Sequence, residues 1–337
     1  MNKTRNCSID LFRLYCAVLV VAIHTSPFMD QNNKLGFIST QVIPRIAVPF
    51  FFIVSGYYYI QNLEQGKKCI SSTIWKVFKL YTFWSIIYLT RNFILFVTKD
   101  AITLQSIKGF IVNNLVNYLF YGTEYHLWYF IGLLVSLFVV GISYKFKVQK
   151  IIFVLSIFLY ILGLFGESYY YIGDKIPVIS TLINLSFFTT IRRVFLMGFP
   201  FFTSGFFVYK LKDKFSKKSA LIATCFFTIA FLLEILIVCK LHFQRSIVIT
   251  IFLFPLTIFV LITLLRFPLY KFYSISTKTK SLANYTYYIH PLFIFALGDL
   301  GLDFLNVTKM LIVLVLCLLT WIILNRVNSK LIKNYVL

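Results

Sequence analysis

Ten apolar segments, each long enough to cross a lipid bilayer, constrain this chain more than any other feature of its sequence. A membrane-spanning helix needs about 20 consecutive, mainly apolar residues, and in lipid its backbone polar groups must be satisfied within the helix. The segments lie at about 10–28, 42–62, 76–98, 127–144, 150–166, 190–209, 219–240, 246–266, 282–299 and 308–325. They predict an all-α integral membrane protein with about ten transmembrane helices.

The composition agrees with this prediction and restricts the class of partner. Of the 337 residues, 59% are hydrophobic and 13% are charged, whereas soluble domains are about 45–50% apolar and about 25% charged. The formal net charge is +22. Its lysines and arginines nevertheless form short clusters between apolar segments, not a basic stripe on a soluble face. We therefore expect contact with the lipid bilayer and no nucleic-acid partner.

The basic clusters also predict the orientation of the helices. Cytoplasmic loops carry an excess of lysine and arginine, and most basic residues fall on one side if the N-terminus is cytoplasmic. This distribution predicts cytoplasmic termini at both ends of a single transmembrane domain, residues 1–337. The frequent use of Lys, Ile, Asn and Phe suggests a bacterial source, in which case the membrane would be the plasma membrane. Because Arg13 and His24 interrupt the first apolar run and no small-residue cleavage site follows, we expect a retained helix and not a cleaved signal peptide.

The first apolar segment carries three titratable side chains, Asp10, Arg13 and His24. A helix advances about 100° per residue, so Arg13 and His24 share one face, separated by roughly 16 Å along the axis. Asp10 precedes Arg13 by three residues and is its neighbour on that face. Ionisable residues inside a membrane are candidates for function, and a neutral imidazole can accept a proton near neutral pH. The alternatives are an Arg13 that extends to lipid headgroups with Asp10 as counter-ion, and a His24 that bonds another helix.

Five short motifs occur in a fixed order along the chain, and together they carry a family resemblance. They are Arg13-x10-His24, VPFFFIVSGYYY (Val48 to Tyr59), WKVFKLY with Lys76 and Lys79, HLWYFIGLL (His126 to Leu134) and YTYYIHPLF (Tyr285 to Phe293). In this order they resemble the acyltransferase 3 family of integral membrane acyltransferases. The chain departs from the family at Lys76 and Lys79, which stand where its members have an Arg-x-x-Arg pair.

Within that family, three segments are similar to the membrane half of the serine racemases of vancomycin resistance. These segments are AVPFFFIVSGYYY, YHLWYF and GLFGES. Such racemases carry a soluble racemase domain after the membrane half, and this sequence ends at Leu337, just past its last apolar segment. We therefore expect no racemase activity.

The resemblance implies an acyltransferase that transfers groups other than aminoacyl groups. Its donor would be a cytoplasmic acyl-CoA, commonly acetyl-CoA, and its acceptor a hydroxyl of a cell-envelope saccharide or lipid-linked sugar. By resemblance His24 is the catalytic histidine and Arg13 is a pocket arginine that faces the donor, and Lys76 and Lys79 meet the phosphates of coenzyme A. Arg13 and its neighbour Asp10 are counted with His24 as candidate catalytic residues. Lysine binds phosphate as a point charge without the bidentate fork of arginine. Two ordinary cytoplasmic lysines are the alternative.

Further polar and aromatic positions are candidates for lining a substrate cavity. They are Arg45, Ser55, Tyr57, His126, Trp128, Glu167, Arg192, Arg193, Glu234 and His290. Ser55, beside Gly56, alternatively marks a close helix contact, and Arg45 an interfacial arginine. Glu234, in the middle of a span, lines a polar cavity or makes a structural hydrogen bond.

Two of these candidates suggest contacts with a substrate at the outer face. Glu167 begins a tyrosine-rich segment, which is either a carbohydrate-facing surface or an interfacial aromatic belt. Arg192 and Arg193 are candidates for recognising an anionic acceptor.

Other chemistries find no support in the sequence, and two other functions stay open. No histidine or cysteine spacing matches a metal site, so no metal is expected. Phosphate-binding loops and the G-x-S-x-G elbow are absent. A transporter of a small amino acid such as L-serine would use the same intramembrane charges. A non-enzymatic envelope or sensory protein is the third possibility.

Overall fold

The structure, a computed structural model, describes residues 6–67, 70–99, 102–185, 188, 192–269, 273–327 and 335, and these residues contain no β-strand. The helices are α1 (Cys7–Thr25), α2 (Asn33–Phe37), α3 (Ala47–Glu64), α4 (Ile70–Lys99), α5 (Leu104–Val116), α6 (Trp128–Lys145), α7 (Gln149–Gly166), α8 (Tyr170–Gly173), α9 (Pro177–Asn184), α10 (Phe199–Thr203), α11 (Gly205–Leu211), α12 (Lys217–Lys240), α13 (Leu253–Arg266), α14 (Tyr273–Asp299) and α15 (Asn306–Arg326). Short π- and 3-10-helical turns, Ile38–Val42 and Ile43–Ile46, join α2 to α3, and a π-helical segment, Arg192–Gly198, leads into α10.

Each of the ten predicted segments contains a helix, and the prediction of an all-α membrane protein is confirmed. In the segment 246–266 the helix begins only at Leu253, and residues 190–191 of the segment 190–209 lie outside the described residues. Within the described residues, eight helical stretches are long and apolar enough to cross a membrane. The two remaining segments are α13, which has only 14 residues, and α14, which contains Pro291. The number of spans and the cytoplasmic location of both termini stay predictions, and residues 1–5 and 336–337 lie outside the described part of the chain.

Polar contacts between helix ends define two ends of the helical bundle. At one end, where α1 begins, Glu64 at the end of α3 accepts a hydrogen bond from the Tyr144 hydroxyl (2.8 Å) and pairs with Lys210 (3.0 Å). At the other end, where α1 finishes, Arg91 pairs with Asp299 at 2.9 Å. We call the first the lysine-rich end, because α6, α11 and the start of α12 place their lysines there, and the second the opposite end.

The first helix is fixed against its neighbours at both of its ends. The Asn6 side chain accepts the Ser8 backbone N–H (3.0 Å) and donates to the Leu264 carbonyl (2.8 Å). The Ser8 hydroxyl donates to the Phe267 carbonyl at 2.6 Å. At the other terminus Ser26 adopts φ 50°, which ends the helix one turn after Ala22. Between these points α1 packs along α14. These contacts fix the rotation of α1 about its own axis, and so the direction in which Arg13 and His24 point.

Two glycines allow the closest helix contact of the core, between α3 and the α10–α11 segment. A Cβ atom at Gly56 would lie 1.9 Å from the Phe202 carbonyl oxygen, and one at Gly205 would lie 2.3 Å from the Tyr57 nitrogen. Small residues at helix interfaces let backbones approach in this way. Gly56 therefore supplies the close contact expected at the Ser55–Gly56 pair.

Candidate functional site

Three of the four histidines in the chain meet in one cluster between α1, α14 and the loop before α6. The His24 ring stacks on the His290 ring with centroids 5.4 Å apart. The His126 and His290 ring centroids are 5.5 Å apart. His126 and His290 are buried, whereas His24 is half-buried. His24, His126 and His290 form what we call the histidine cluster.

The proline after His290 explains how that ring is oriented. Pro291 has no N–H, so the Tyr287 carbonyl lacks its usual helical partner. The Nδ1 atom of His290 lies 3.0 Å from this carbonyl and 3.0 Å from that of Thr286. Because a carbonyl only accepts, Nδ1 carries the proton. The Nε2 atom is then a free acceptor, with no hydrogen-bond partner among the described residues.

His126 is held by its backbone while its ring nitrogens stay unpaired. The Tyr287 hydroxyl donates to the His126 carbonyl at 2.7 Å, and neither ring nitrogen has a partner within the described residues. Burial lowers the pKa of His126 well below its ordinary value, and His290 and His24 act in the same direction. His126 is therefore a neutral imidazole at physiological pH.

On the lysine-rich side of the histidine cluster lies a cavity of about 250 Å³, which we call the lysine-side cavity. Its charged lining residues are Arg13, Lys76 and Lys280, and Ser55 and Asn284 also face it. Arg13 lies 3.5 Å from Asp10, whose other oxygen accepts the Ser276 hydroxyl at 2.6 Å. Asp10 is thus the counter-ion of Arg13.

Tyrosines close the lysine-side cavity toward the histidine cluster. Tyr129 and Tyr287 line it, their ring centroids lie 5.4 Å apart, and the Tyr287 ring lies 6.3 Å from that of His290. The Ser55 hydroxyl donates to the Phe51 carbonyl at 2.8 Å and lies 3.4 Å from the Tyr129 hydroxyl.

The structure separates the two lysines that the sequence pairs. Lys76 lines the lysine-side cavity, but Lys79 is not among its lining residues. The Nζ atom of Lys79 instead lies 5.8 Å from the centroid of the Trp75 ring. Tyr57 is also absent from that lining: it is buried and packs on Tyr58, with ring centroids 5.1 Å apart. The second lysine that lines the lysine-side cavity is Lys280, which belongs to α14.

On the opposite side of the histidine cluster lies a larger cavity of about 580 Å³, which we call the arginine-side cavity. Its lining residues are Asn92, Asn117, Phe120, Tyr121, Gly122, Thr123, Glu124, Tyr125, Trp128, Arg192, Arg193 and Val194. Tyr125 links this cavity to the histidine cluster, because its ring centroid lies 4.5 Å from that of His24. The predicted residues Trp128, Arg192 and Arg193 are therefore brought together here.

Arg192, on the lining of the arginine-side cavity, forms an ion pair with the buried Glu167. Glu167 is 2% exposed, and its Oε1 lies 2.8 Å from Nε of Arg192. Its Oε2 accepts the Ser246 hydroxyl. Arg45 donates from Nε to the Gln41 carbonyl at 2.9 Å and lies within electrostatic range of Glu167. Glu167 itself is therefore not part of a carbohydrate-facing surface, because burial and pairing make it a counter-ion for arginines.

Glu234 belongs to a separate arrangement away from both cavities. It accepts the backbone N–H groups of Ile251 (2.6 Å) and Phe252 (2.8 Å), just before α13, and the Tyr169 hydroxyl (2.7 Å). These donors satisfy the carboxyl group and fix the entry of the chain into a helix. The structure thus corresponds to the structural hydrogen bond and not to the polar-cavity role.

Several residues of the site escaped sequence reasoning. Lys280 and Glu124 belong to no quoted motif, whereas Tyr125 begins the quoted YHLWYF segment and Tyr287 stands within the quoted YTYYIHPLF segment. Among the residues that the structure describes, no group of three His, Cys, Asp or Glu side chains is placed to hold a metal ion. The available chemistry is proton transfer by imidazoles and charge recognition by arginine and lysine.

The fold and the site define a multi-pass membrane protein in which a histidine cluster separates two charged cavities. A family model described as an acyltransferase domain, that of the acyltransferase 3 family, matches residues 6–326. The chain belongs to this family of membrane acyltransferases.

Curated relatives add a second likeness. An amino-acid racemase of Enterococcus faecalis is 30% identical over 222 residues, which are 65% of this chain and 30% of that protein. A second one from that organism is 33% identical over 224 residues, 63% of this chain and 30% of the relative. A serine/alanine racemase of Enterococcus gallinarum is 32% identical over 180 residues, 52% and 25% of the two chains. This chain therefore spans less than a third of the length of these relatives. No solved structure matches it.

Proposed function

We propose that this protein is a membrane O-acyltransferase of the bacterial cell membrane, which moves an acyl group from acyl-CoA to a hydroxyl of a cell-envelope saccharide or lipid-linked sugar. The observation that carries the proposal is the position of His24 between the two cavities. One cavity carries the cations Arg13, Lys76 and Lys280, which suit the phosphates of coenzyme A. The other has the size expected of a small-molecule site.

The proposed reaction begins when His24, as a neutral imidazole, takes the proton of the acceptor hydroxyl. The acceptor oxygen attacks the thioester carbonyl carbon, a C–O bond forms and the C–S bond breaks. The coenzyme A thiolate leaves and receives a proton from the His24 imidazolium, which restores the base. Acetyl-CoA is the expected donor. Its phosphates would bind at the lysine-rich end, and its flexible arm would extend along α1 to His24.

His290 has a positioning role in this scheme. Its ring stacks on His24, and its own orientation is fixed by two carbonyl oxygens. A fixed neighbour limits the orientations of the half-buried His24 ring, and such preorganisation favours proton transfer.

The test uses purified protein in nanodiscs with radiolabelled acetyl-CoA and a crude envelope fraction. His24→Asn is compared with wild type and with His242→Asn, the same substitution at the remaining histidine. His242 is exposed and has φ 52°, a conformation that asparagine tolerates. Label transfer that is lost in His24→Asn and kept in His242→Asn supports the proposal. Folded wild type that neither binds nor consumes acetyl-CoA contradicts it.

A second candidate function is transport of a small amino acid such as L-serine. It is favoured by the relatives, which are amino-acid and serine/alanine racemases, and by the unpaired imidazole nitrogens of the buried His126 and His290. Uptake of radiolabelled L-serine into vesicles, without any need for acetyl-CoA, supports the transporter. Serine-independent label transfer from acetyl-CoA supports the acyltransferase.

A further inference from the structure

Three arginines at the opposite end share one buried carboxylate. Both oxygens of Glu167 are engaged, Oε1 by Arg192 at 2.8 Å and Oε2 by the Ser246 hydroxyl. Arg45 and Arg193 lie within electrostatic range of that same carboxylate. One negative charge therefore faces three positive charges, and the excess is positive.

A second carboxyl group, that of Glu124 on the lining of the arginine-side cavity, does not remove this excess. Glu124 accepts the Tyr125 backbone N–H at 3.1 Å, and the guanidinium charge acting on it is that of Arg91, which is already paired with Asp299 at 2.9 Å. Burial, the largest influence, raises the pKa of Glu124 and disfavours its charged form. Arg193 forms no ion pair with any residue that the structure describes.

The unneutralised Arg193 lines the arginine-side cavity and lies within electrostatic range of the proposed base. Its side chain is exposed and lines that cavity together with Arg192. The positive charge of Arg193 acts on His24. Tyr125, which lines the same cavity, also reaches the base, because its ring centroid lies 4.5 Å from that of His24. A ligand held by Arg193 would therefore present its neighbouring groups to His24.

We propose that the arginine-side cavity selects an acceptor that carries an oxyanion, a phosphate or a carboxylate, near the hydroxyl to be acylated. The inference rests on the proposed function, since it names the class of its acceptor. Guanidinium groups match phosphate and carboxylate through two parallel N–H···O hydrogen bonds. The asparagine amides of Asn92 and Asn117 on the cavity wall suit the hydroxyls of a sugar. A neutral sugar would leave the charge of Arg193 without a counter-ion.

The test measures binding without acyl-CoA, so that its failure and the failure of acyl transfer are distinguishable. The probes are glucuronate, inorganic pyrophosphate and, as the neutral control, glucose. Ligand-dependent thermal stabilisation is recorded for protein in phosphatidylcholine nanodiscs. A second set of nanodiscs contains phosphatidylglycerol, which supplies the same oxyanion from the bilayer. The variants are Arg193→Gln, Arg193→Lys and Lys108→Gln, the last removing one exposed charge from α5 outside the cavity lining.

We expect one or both soluble anions, but not glucose, to stabilise the wild type in phosphatidylcholine nanodiscs. Arg193→Gln should weaken this binding at least tenfold, Arg193→Lys by less, and Lys108→Gln should leave it unchanged. Equal binding of glucose and the anions overturns the proposal, and so does equal binding by Arg193→Gln and Lys108→Gln. Binding of phosphatidylglycerol without any binding of the soluble anions assigns the arginines to the bilayer and also overturns it.

Discussion

The imidazole rings of His24 and His290 stack with their centroids 5.4 Å apart, although they belong to the first and the next-to-last long helices of the chain. The contact follows from the packing of α1 along α14. The orientation of the His290 ring follows from Pro291, since the missing N–H leaves a carbonyl for Nδ1. A feature of the local sequence thus fixes the neighbour of the proposed base.

His290→Phe is expected to lower the thermal stability of the protein while keeping an aromatic ring against His24. The Tyr287 carbonyl would lose its donor, and a buried unpaired acceptor costs about 1–3 kcal/mol. Thermal unfolding in nanodiscs measures the change. An unchanged melting temperature would show that the bond between Nδ1 and this carbonyl does not stabilise the helix.

Lys76→Ala and Lys79→Ala are expected to differ, although the two lysines are one helical turn apart. Lys76 lines the lysine-side cavity and Lys79 does not. A hydrogen bond to a charged group contributes about 1.5–3 kcal/mol, and Lys76 is exposed, so we expect the lower end, about a tenfold rise in the KM for acetyl-CoA. Lys79→Ala should change this KM by less than about twofold. Steady-state kinetics with varied acetyl-CoA decide the matter, and equal effects would contradict the placement of the donor.

Gly56→Ala is expected to destabilise the fold, and Gly109→Ala is its matched control. A Cβ atom at Gly56 would lie 1.9 Å from a backbone oxygen, whereas nothing lies within 4 Å of one at Gly109. Overpacking a core costs about 1–3 kcal/mol, while alanine in an exposed helix is favoured over glycine by about 1 kcal/mol. Thermal unfolding should therefore shift downward for the first variant and not for the second. Equal shifts would contradict the close contact between α3 and α10.

Glu124→Gln is expected to stabilise the protein at neutral pH but not in acid. Burial raises the pKa of Glu124, so the folded state binds its proton more tightly than the unfolded state. Stability then falls as pH rises from the unfolded pKa, about 4.3, through the folded pKa. Glutamine removes this loss.

Asp174→Asn provides a control of opposite sign for Glu124→Gln. Hydrogen bonds from Ser180 and Asn184 lower the pKa of Asp174, so its contribution to stability is present above the unfolded pKa and is lost as pH falls through the folded pKa. This variant should be destabilised at neutral pH, with a difference that vanishes in acid. Melting temperatures recorded between acid and neutral pH test both variants, and parallel curves for wild type and Glu124→Gln would contradict the sign.

The sequence predicted the helices well because apolar length is a local property. It also predicted that Arg13 and His24 share a face, which helical periodicity alone determines. The contact of His24 with His126 and His290 could not be predicted from the sequence, because it depends on which helices pack together. For the same reason the sequence could not predict that Lys76 lines the lysine-side cavity and Lys79 does not. The rotation of α4 about its axis is set by the helices that pack against it. The sequence left two alternatives for Glu234, because its backbone partners, Ile251 and Phe252, come from an irregular segment whose position helical periodicity does not predict.

In the proposed mechanism, donor and acceptor reach His24 from opposite cavities. A transfer assay in sealed proteoliposomes of one orientation tests this arrangement. Radiolabelled acetyl-CoA is supplied only at the lysine-rich end and the envelope acceptor fraction only at the opposite end. We predict labelled acceptor for wild type and His242→Asn and none for His24→Asn. Transfer that occurs only when donor and acceptor share one side of the membrane would contradict this account.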